Sequence, residues 1–111
     1  MSKLRVSVDS VGTNQRWTMI ENDEVKEILN LLLEECAEVI QAVSKINRFG
    51  FDSFHPSTPH KNNKDDLEEE LGDLECVINL LKNKGVVLES AIRDYKRNKE
   101  DKIRAYTNIS L

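Results

Sequence analysis

The stretch Leu31–Gly50, LLLEECAEVIQAVSKINRFG, decides the fold. Its apolar residues return every three or four positions, the repeat of a helix face. Glu35 and Glu38 fall inside that repeat, not opposite it. Val25, Ile28 and Leu32 lead into the stripe, and Val39, Ala42 and Ile46 continue it. Asn22 or Asp23 suits a helix cap, and Gly50 a left-handed stop. The sequence therefore predicts a first helix of about 26 residues, about 39 Å long. A second helix repeats the layout. Asn63 or Asp65 can cap it, Gly85 follows its end near Lys84, and Glu70 and Asp73 lie among Leu67, Leu74, Val77 and Leu81. A third helix is expected from about Leu88 to Tyr106. Between the first two, Asp52 to Asn63 holds both prolines and both histidines and reads as loop.

At 111 residues, with 32% charged and 5% aromatic side chains, the chain is a single domain that favours helices over a β-sandwich. Residues 1–20 read as an N-terminal arm and 21–111 as an all-α domain. In the arm, Leu4, Val6 and Val8 alternate with polar residues. That makes one short strand with no partner of its own, left to pair with another subunit or stay loose. The first helix is apolar well beyond one stripe, since Leu31, Leu33 and Val43 widen it. Such a helix needs neighbours on several sides, and three helices supply few. The expected fold is an all-α helical bundle of about three main helices per chain, completed by homo-oligomerisation, most simply in a symmetric dimer. Gly72 interrupts the second helix and suggests a close backbone approach; Cys36 and Cys76 read as small core residues.

A net charge of −4 argues against binding a nucleic acid polymer, which needs a basic surface. No apolar run nears the roughly 20 residues that span a bilayer. The opening Met1-Ser2-Lys3-Leu4-Arg5 lacks a signal peptide's apolar stretch, so a cytoplasmic protein without a membrane partner is expected.

Residues three apart share a helix face, so Glu35/Glu38 and Glu70/Asp73 each aim two carboxylates one way. Four of them converging in a partly dry site repel one another and cost several kcal/mol per ion in desolvation. A hard divalent cation removes both problems, and oxygen-only ligands suit Mg²⁺, with Mn²⁺ as substitute. One Glu pair alone is usually a wet helix face; two pairs, each within an apolar arc, give the metal reading its weight. A di-iron bundle would need Glu-x-x-His, whereas Glu38 and Asp73 stand at those places. Glu34, Glu68 and Glu69 suit surface charge, although Glu34 could also orient a water beside the metal. Lys45 extends the Glu35–Glu38–Ala42 stripe and suits the outer phosphates of a substrate. Arg48 could do the same, or simply complement the helix C-terminus. Acidic residues crowd Asp65–Glu75 and basic ones Arg93–Arg104. These are either complementary solvated faces or a metal site opposite groups that hold a polyphosphate.

EECAEVIQAVSKINRFG at 34–50 followed by EEELGDLECVINLL at 68–81 resembles the MazG-like all-α nucleoside triphosphate pyrophosphohydrolases, whose signature is EExxE, a spacer, then ExxD. The resemblance covers about residues 24–84. It implies a helical bundle, dimeric or tetrameric, that binds Mg²⁺ through Glu35, Glu38, Glu70 and Asp73. The implied reaction is attack of water on the α-phosphorus of a nucleoside triphosphate, giving the monophosphate and pyrophosphate. Glu34 or Glu38 would help deprotonate or position that water. The spacer is long for the family, so the 53–63 insertion is expected to form a lid or an oligomer contact. Lys99, Lys102, Arg104 and Tyr106 resemble the family's phosphate-binding ending, though Asn98 is offset. Two other functions compete: a non-catalytic helical interaction module, and a same-fold enzyme acting on another pyrophosphate such as phosphoribosyl-ATP. Base selection could draw on Asn14, Trp17, Gln41, Phe49 or Asn79.

Overall fold

Helix α1, Asp23–Phe49, begins where the Asn22 side chain accepts the Val25 N–H at 3.2 Å. Asp23 and Glu24 in its first turn complement the positive end of the helix dipole. It stops at Gly50, whose φ of 87° is open to glycine and costly for other residues. The ψ of 170° there sends the chain off extended, not into the αL stop that the sequence suggested. The computed structural model describes residues 22–111 with their side chains and, before them, only the backbone of 4–8 and 16–20.

Helix α2, Asn63–Asn83, is capped one residue earlier than expected. Asn62 accepts the Asp65 N–H at 2.8 Å, and the Asp65 carboxylate accepts the Asn62 N–H at 2.9 Å. This reciprocal capping box satisfies two backbone donors at once. Helix α3, Glu89–Tyr106, follows a turn in which Gly85 takes φ 70°.

α1 and α2 form an antiparallel pair. Lys84 meets Glu24 at 2.7 Å at one end, and Lys45 meets Asp66 at 3.1 Å at the other. Ile28, Val77 and Leu81 make the buried centre, with Leu29, Leu32, Leu80, Val86 and Val87 packed around them. Burial follows the stripes read from the sequence. Along α1 it runs Val25, Ile28, Leu32, Glu35, Val39, Ala42, Ile46; along α2 it runs Leu67, Glu70, Leu74, Val77, Leu81. The apolar core thus fills one end of the pair and hands over to carboxylates near the middle.

Much apolar surface stays uncovered. Leu33 and Ile40 on α1 are 71% and 69% exposed, and α3 has no buried residue. The radius of gyration is 19.0 Å, against about 13 Å for a compact domain of this length.

Three expectations change. Leu4–Val8 (β1) has a partner in its own chain: it pairs antiparallel with Arg16–Ile20 (β2), Leu4 opposite Ile20 and Val8 opposite Arg16. Cys36 and Cys76 are exposed free thiols, not core residues. A Cβ at Gly72 would meet nothing within 4 Å, so among the described residues no backbone approaches it closely. No helix among the described residues is long and apolar enough to cross a membrane.

Candidate active site

The two stripes bring Glu35 and Glu70 into the α1–α2 interface, and one turn along each helix Glu38 and Asp73 flank them on the exposed side. One carboxylate oxygen from each of the four lies within 4.8 Å of all the others. The Oε2 atoms of Glu35 and Glu70 are fully buried and have no hydrogen-bond partner. An orphaned buried acceptor costs about 1–3 kcal/mol, and more if charged.

Electrostatics carries the same message. Burial pushes the Glu35 carboxyl above its usual range, and repulsion from Glu38, Asp73 and Glu34 adds to it. The neighbouring Glu38 carboxyl, then burial and the other acidic neighbours, lift Glu70 to about 7. Without a cation, Glu35 and Glu70 hold protons where a free carboxylate has lost them. A divalent cation would take the orphaned lone pairs and neutralise the crowded charge together. An all-oxygen donor set of this size fits a hard cation.

Beside the cluster opens a cavity of about 280 Å³ lined by Glu38, Gln41, Ala42, Lys45, Asp66 and Glu70. Lys45 is the cation at its edge, held 3.1 Å from Asp66. Lys61 approaches the same carboxylate at 3.3 Å and Glu69 at 2.6 Å. Partial burial works against the charge on Asp66, but the two ammonium groups outweigh it and hold its carboxyl below the usual range. Asp66 went unremarked in the sequence except as one of an acidic run. The signal was there: it precedes Glu70 by four residues and shares its face.

The other expected site residues are dispersed. Glu34 is exposed; it lines a separate recess with Glu24 and Glu27, and reaches the cluster only through its charge. Arg48 lays its guanidinium 4.9 Å from the centre of the Phe49 ring, and does not line the carboxylate cavity. Lys99 and Arg104 are exposed on α3. Arg104 turns to its own helix, 3.3 Å from Asp101 and 4.0 Å from Glu100. Within one chain, then, Lys99 and Arg104 are not brought to the carboxylates. Among the residues suggested for base selection, Gln41 lines the carboxylate cavity, Phe49 a neighbouring one, and Asn79 a third beside α3. Asn14 and the Trp17 side chain lie outside the described residues.

The family model for the MazG nucleotide pyrophosphohydrolase domain matches residues 23–101, from the first residue of α1 into the third turn of α3 and beyond. Neither among curated proteins nor among solved structures does the chain find a match.

Proposed function

The chain belongs to the MazG nucleotide pyrophosphohydrolase family, and on that premise we propose that it hydrolyses a nucleoside triphosphate, ribo- or deoxyribo-, at the α-phosphorus. The products are the monophosphate and pyrophosphate. Glu35, Glu38, Glu70 and Asp73 would hold Mg²⁺, for which Mn²⁺ could substitute. The observation that carries this reading is the pair of buried, partnerless oxygens on Glu35 and Glu70, lone pairs that a cation would take. Bound there, the metal supplies charge neutralisation at the phosphate and a lowered pKa for the attacking water.

The chain's own residues divide the remaining work. Glu38 borders both the cluster and the cavity, so it is placed to accept the water's proton. Glu34, one turn behind it, orients that water or tunes Glu35 by its charge. Lys45, 49% exposed and only singly paired, turns from Asp66 to the phosphates farthest from the metal. Arg48 is a weaker candidate for the same task, since it lies beyond Lys45 and against Phe49.

Lys99 and Arg104 would reach a triphosphate only from a second copy. A homodimer or homotetramer is the natural cover for Leu33 and Ile40 on α1 and for a third helix that buries nothing. Residues 21–111 form the catalytic unit in this reading and residues 1–20 an appended arm.

The test is product analysis with purified protein, Mg²⁺ and a panel of nucleoside and deoxynucleoside triphosphates, with Glu38→Gln alongside. Monophosphate plus pyrophosphate, lost in the variant, is the expected result. Orthophosphate release, or activity undiminished in Glu38→Gln, would overturn it. Turnover of phosphoribosyl-ATP but of no simple triphosphate would keep the chemistry and change the substrate.

A further inference from the structure

A second cavity, of about 370 Å³, adjoins the carboxylate cavity and shares Lys45 and Asp66 with it. Its remaining wall comes from the end of α1, the long connection and the first residue of α2: Phe49, Ser53, Phe54, His55, Pro56 and Asn63. We infer that this cavity is a nucleobase subsite selecting bases with an amino group at pyrimidine C4 or purine C6, cytosine or adenine. The inference rests on the nucleotide reading above and assigns the base end of that substrate.

Position comes first. A nucleotide whose α-phosphate rests on the carboxylate cluster has this cavity next to it, across the shared wall of Lys45 and Asp66. The two phenyl rings are 56% and 54% exposed, and flat apolar faces beside a polar opening are what a base stacks on. The connection that carries Phe54 is held in place. Asn63 N–H donates to Ser53 O at 2.8 Å, Lys64 N–H donates to Phe51 O at 3.1 Å, and Phe54 bridges to Asn62. A wall fixed beforehand does not have to be ordered when the ligand binds.

Selectivity comes from Asn63, the one buried polar residue among the described residues, only 6% exposed. Its Nδ2 donates to Gly50 O at 2.9 Å. That bond fixes the amide's orientation and leaves Oδ1 as an acceptor with no donor among the described residues, on a residue that lines the cavity. An acceptor there welcomes the N4 amino group of cytosine or the N6 amino group of adenine. It repels the carbonyl oxygen that uracil, thymine or hypoxanthine presents at the same place. His55 supplies the complementary group. The Ser57 N–H donates to its Nδ1 at 3.1 Å and the Ser57 hydroxyl lies 2.6 Å from the same nitrogen; in the tautomer whose Nδ1 accepts from both, Nε2–H is a donor suited to the ring nitrogen beside either amino group.

The experiment is calorimetric titration of the whole chain in Mg²⁺ with α,β-methylene analogues, which need no turnover: CTP against UTP, and ATP against ITP. The amino member of each pair should bind at least about tenfold more tightly, the penalty of facing one acceptor with another. Phe54→Ala should weaken both members about tenfold through lost stacking and keep the preference. Asn63 itself is left intact, because its bond to Gly50 also shapes the end of α1. Equal affinity within the pairs, no binding of any analogue, or an unchanged Phe54→Ala would each overturn the subsite. The two readings fail separately. Tight amino-selective binding without release of monophosphate from CTP or ATP would sink the reaction and keep the subsite. Indiscriminate hydrolysis of all bases, with equal analogue affinities, would do the reverse.

Discussion

Two regions of this chain are rich in charge and use it in opposite ways. In α1 and α2 the acids Glu35 and Glu70 are drawn into the apolar interface, and two of their oxygens find no partner. In α3 the charges stay in water, and Arg104 settles on Glu100 and Asp101 of its own helix. Exposed pairs of that kind contribute about 0.3–0.5 kcal/mol each. The α3 charges cost the fold nothing and do little for it. The α1–α2 carboxylates cost the fold something and persist. A charge held at a cost marks function better than a charge held in comfort.

The comparison breaks first on activity. Asp73→Asn or Glu38→Gln should lower Mg²⁺-dependent turnover by about 10²–10³-fold or more while circular dichroism stays helical. The matched α3 change, Asp94→Asn at an exposed carboxylate, should leave the rate within about twofold. Normal turnover in either carboxylate variant would remove the metal assignment.

Next comes packing. Leu81 is 5% exposed at the centre of the α1–α2 interface, so Leu81→Ala should cost about 2–4 kcal/mol in denaturant unfolding. Tyr95 is 73% exposed on α3, and Tyr95→Ala should stay within about 0.5 kcal/mol. A large cost at Tyr95 would show that α3 is covered after all, and cross-linking or light scattering would then find the second copy.

Metal and pH sharpen the contrast further. Glu70 titrates near 7 when folded, against an ordinary 4.5. Between those values the folded chain holds a proton that the unfolded chain has lost. Its contribution to metal-free stability is therefore fullest below about 4.5 and is lost as pH rises through about 7. Glu35 moves in the same direction. Thermal unfolding in chelator should accordingly show a falling midpoint from pH 5 to pH 8. Mg²⁺ at a hundredfold excess over its dissociation constant adds about 2.7 kcal/mol, or about 10 °C in a domain this size, and should reverse the trend at high pH. Glu70→Gln should flatten the pH dependence and lose most of the Mg²⁺ shift. A midpoint that rises with pH in chelator would contradict the burial of these carboxyls.

What the sequence made legible was whatever a helix determines locally. Helical spacing put all four carboxylates within the apolar stripes, and Asn22 or Asp23 and Gly50 marked the ends of α1; that Glu35 and Glu70 are the inner pair and Glu38 and Asp73 the exposed one is decided by how α1 packs on α2. The misses all depend on contacts across the chain. The connection folds back so that Ser53 and Phe51 accept bonds from Asn63 and Lys64, and no periodicity announces that. Nothing local shows that Asn63 spends its amide on Gly50. Nor does the composition of α3 reveal that it leaves the other helices uncovered. The β1–β2 pairing did leave a sign that went unread: Arg16-Trp17-Thr18-Met19 alternates polar and apolar residues as Leu4–Val8 does, with Gly12 and Asn14 between the two runs.

The smallest effect concerns Arg48, which the sequence could read either as a phosphate anchor or as a helix-end charge. The structure adds a third use, the guanidinium 4.9 Å over the Phe49 ring. A cation–π contact this exposed is worth about 0.5–1 kcal/mol, and loss of the helix-dipole complement adds a few tenths. Arg48→Ala should thus lower stability by about 1 kcal/mol at most. If the residue serves only as a clamp on Phe49, KM should rise by no more than about threefold with kcat unchanged, and amino-bearing bases should lose more than the others. An anchor on the outer phosphates would raise KM alike for every base. Lys45→Ala separates the two cases, because Lys45 borders both cavities and should raise KM more than Arg48→Ala whichever base is used. If Arg48→Ala proves the costlier change, the phosphates run along the outside of α1 and the path past Lys45 is wrong.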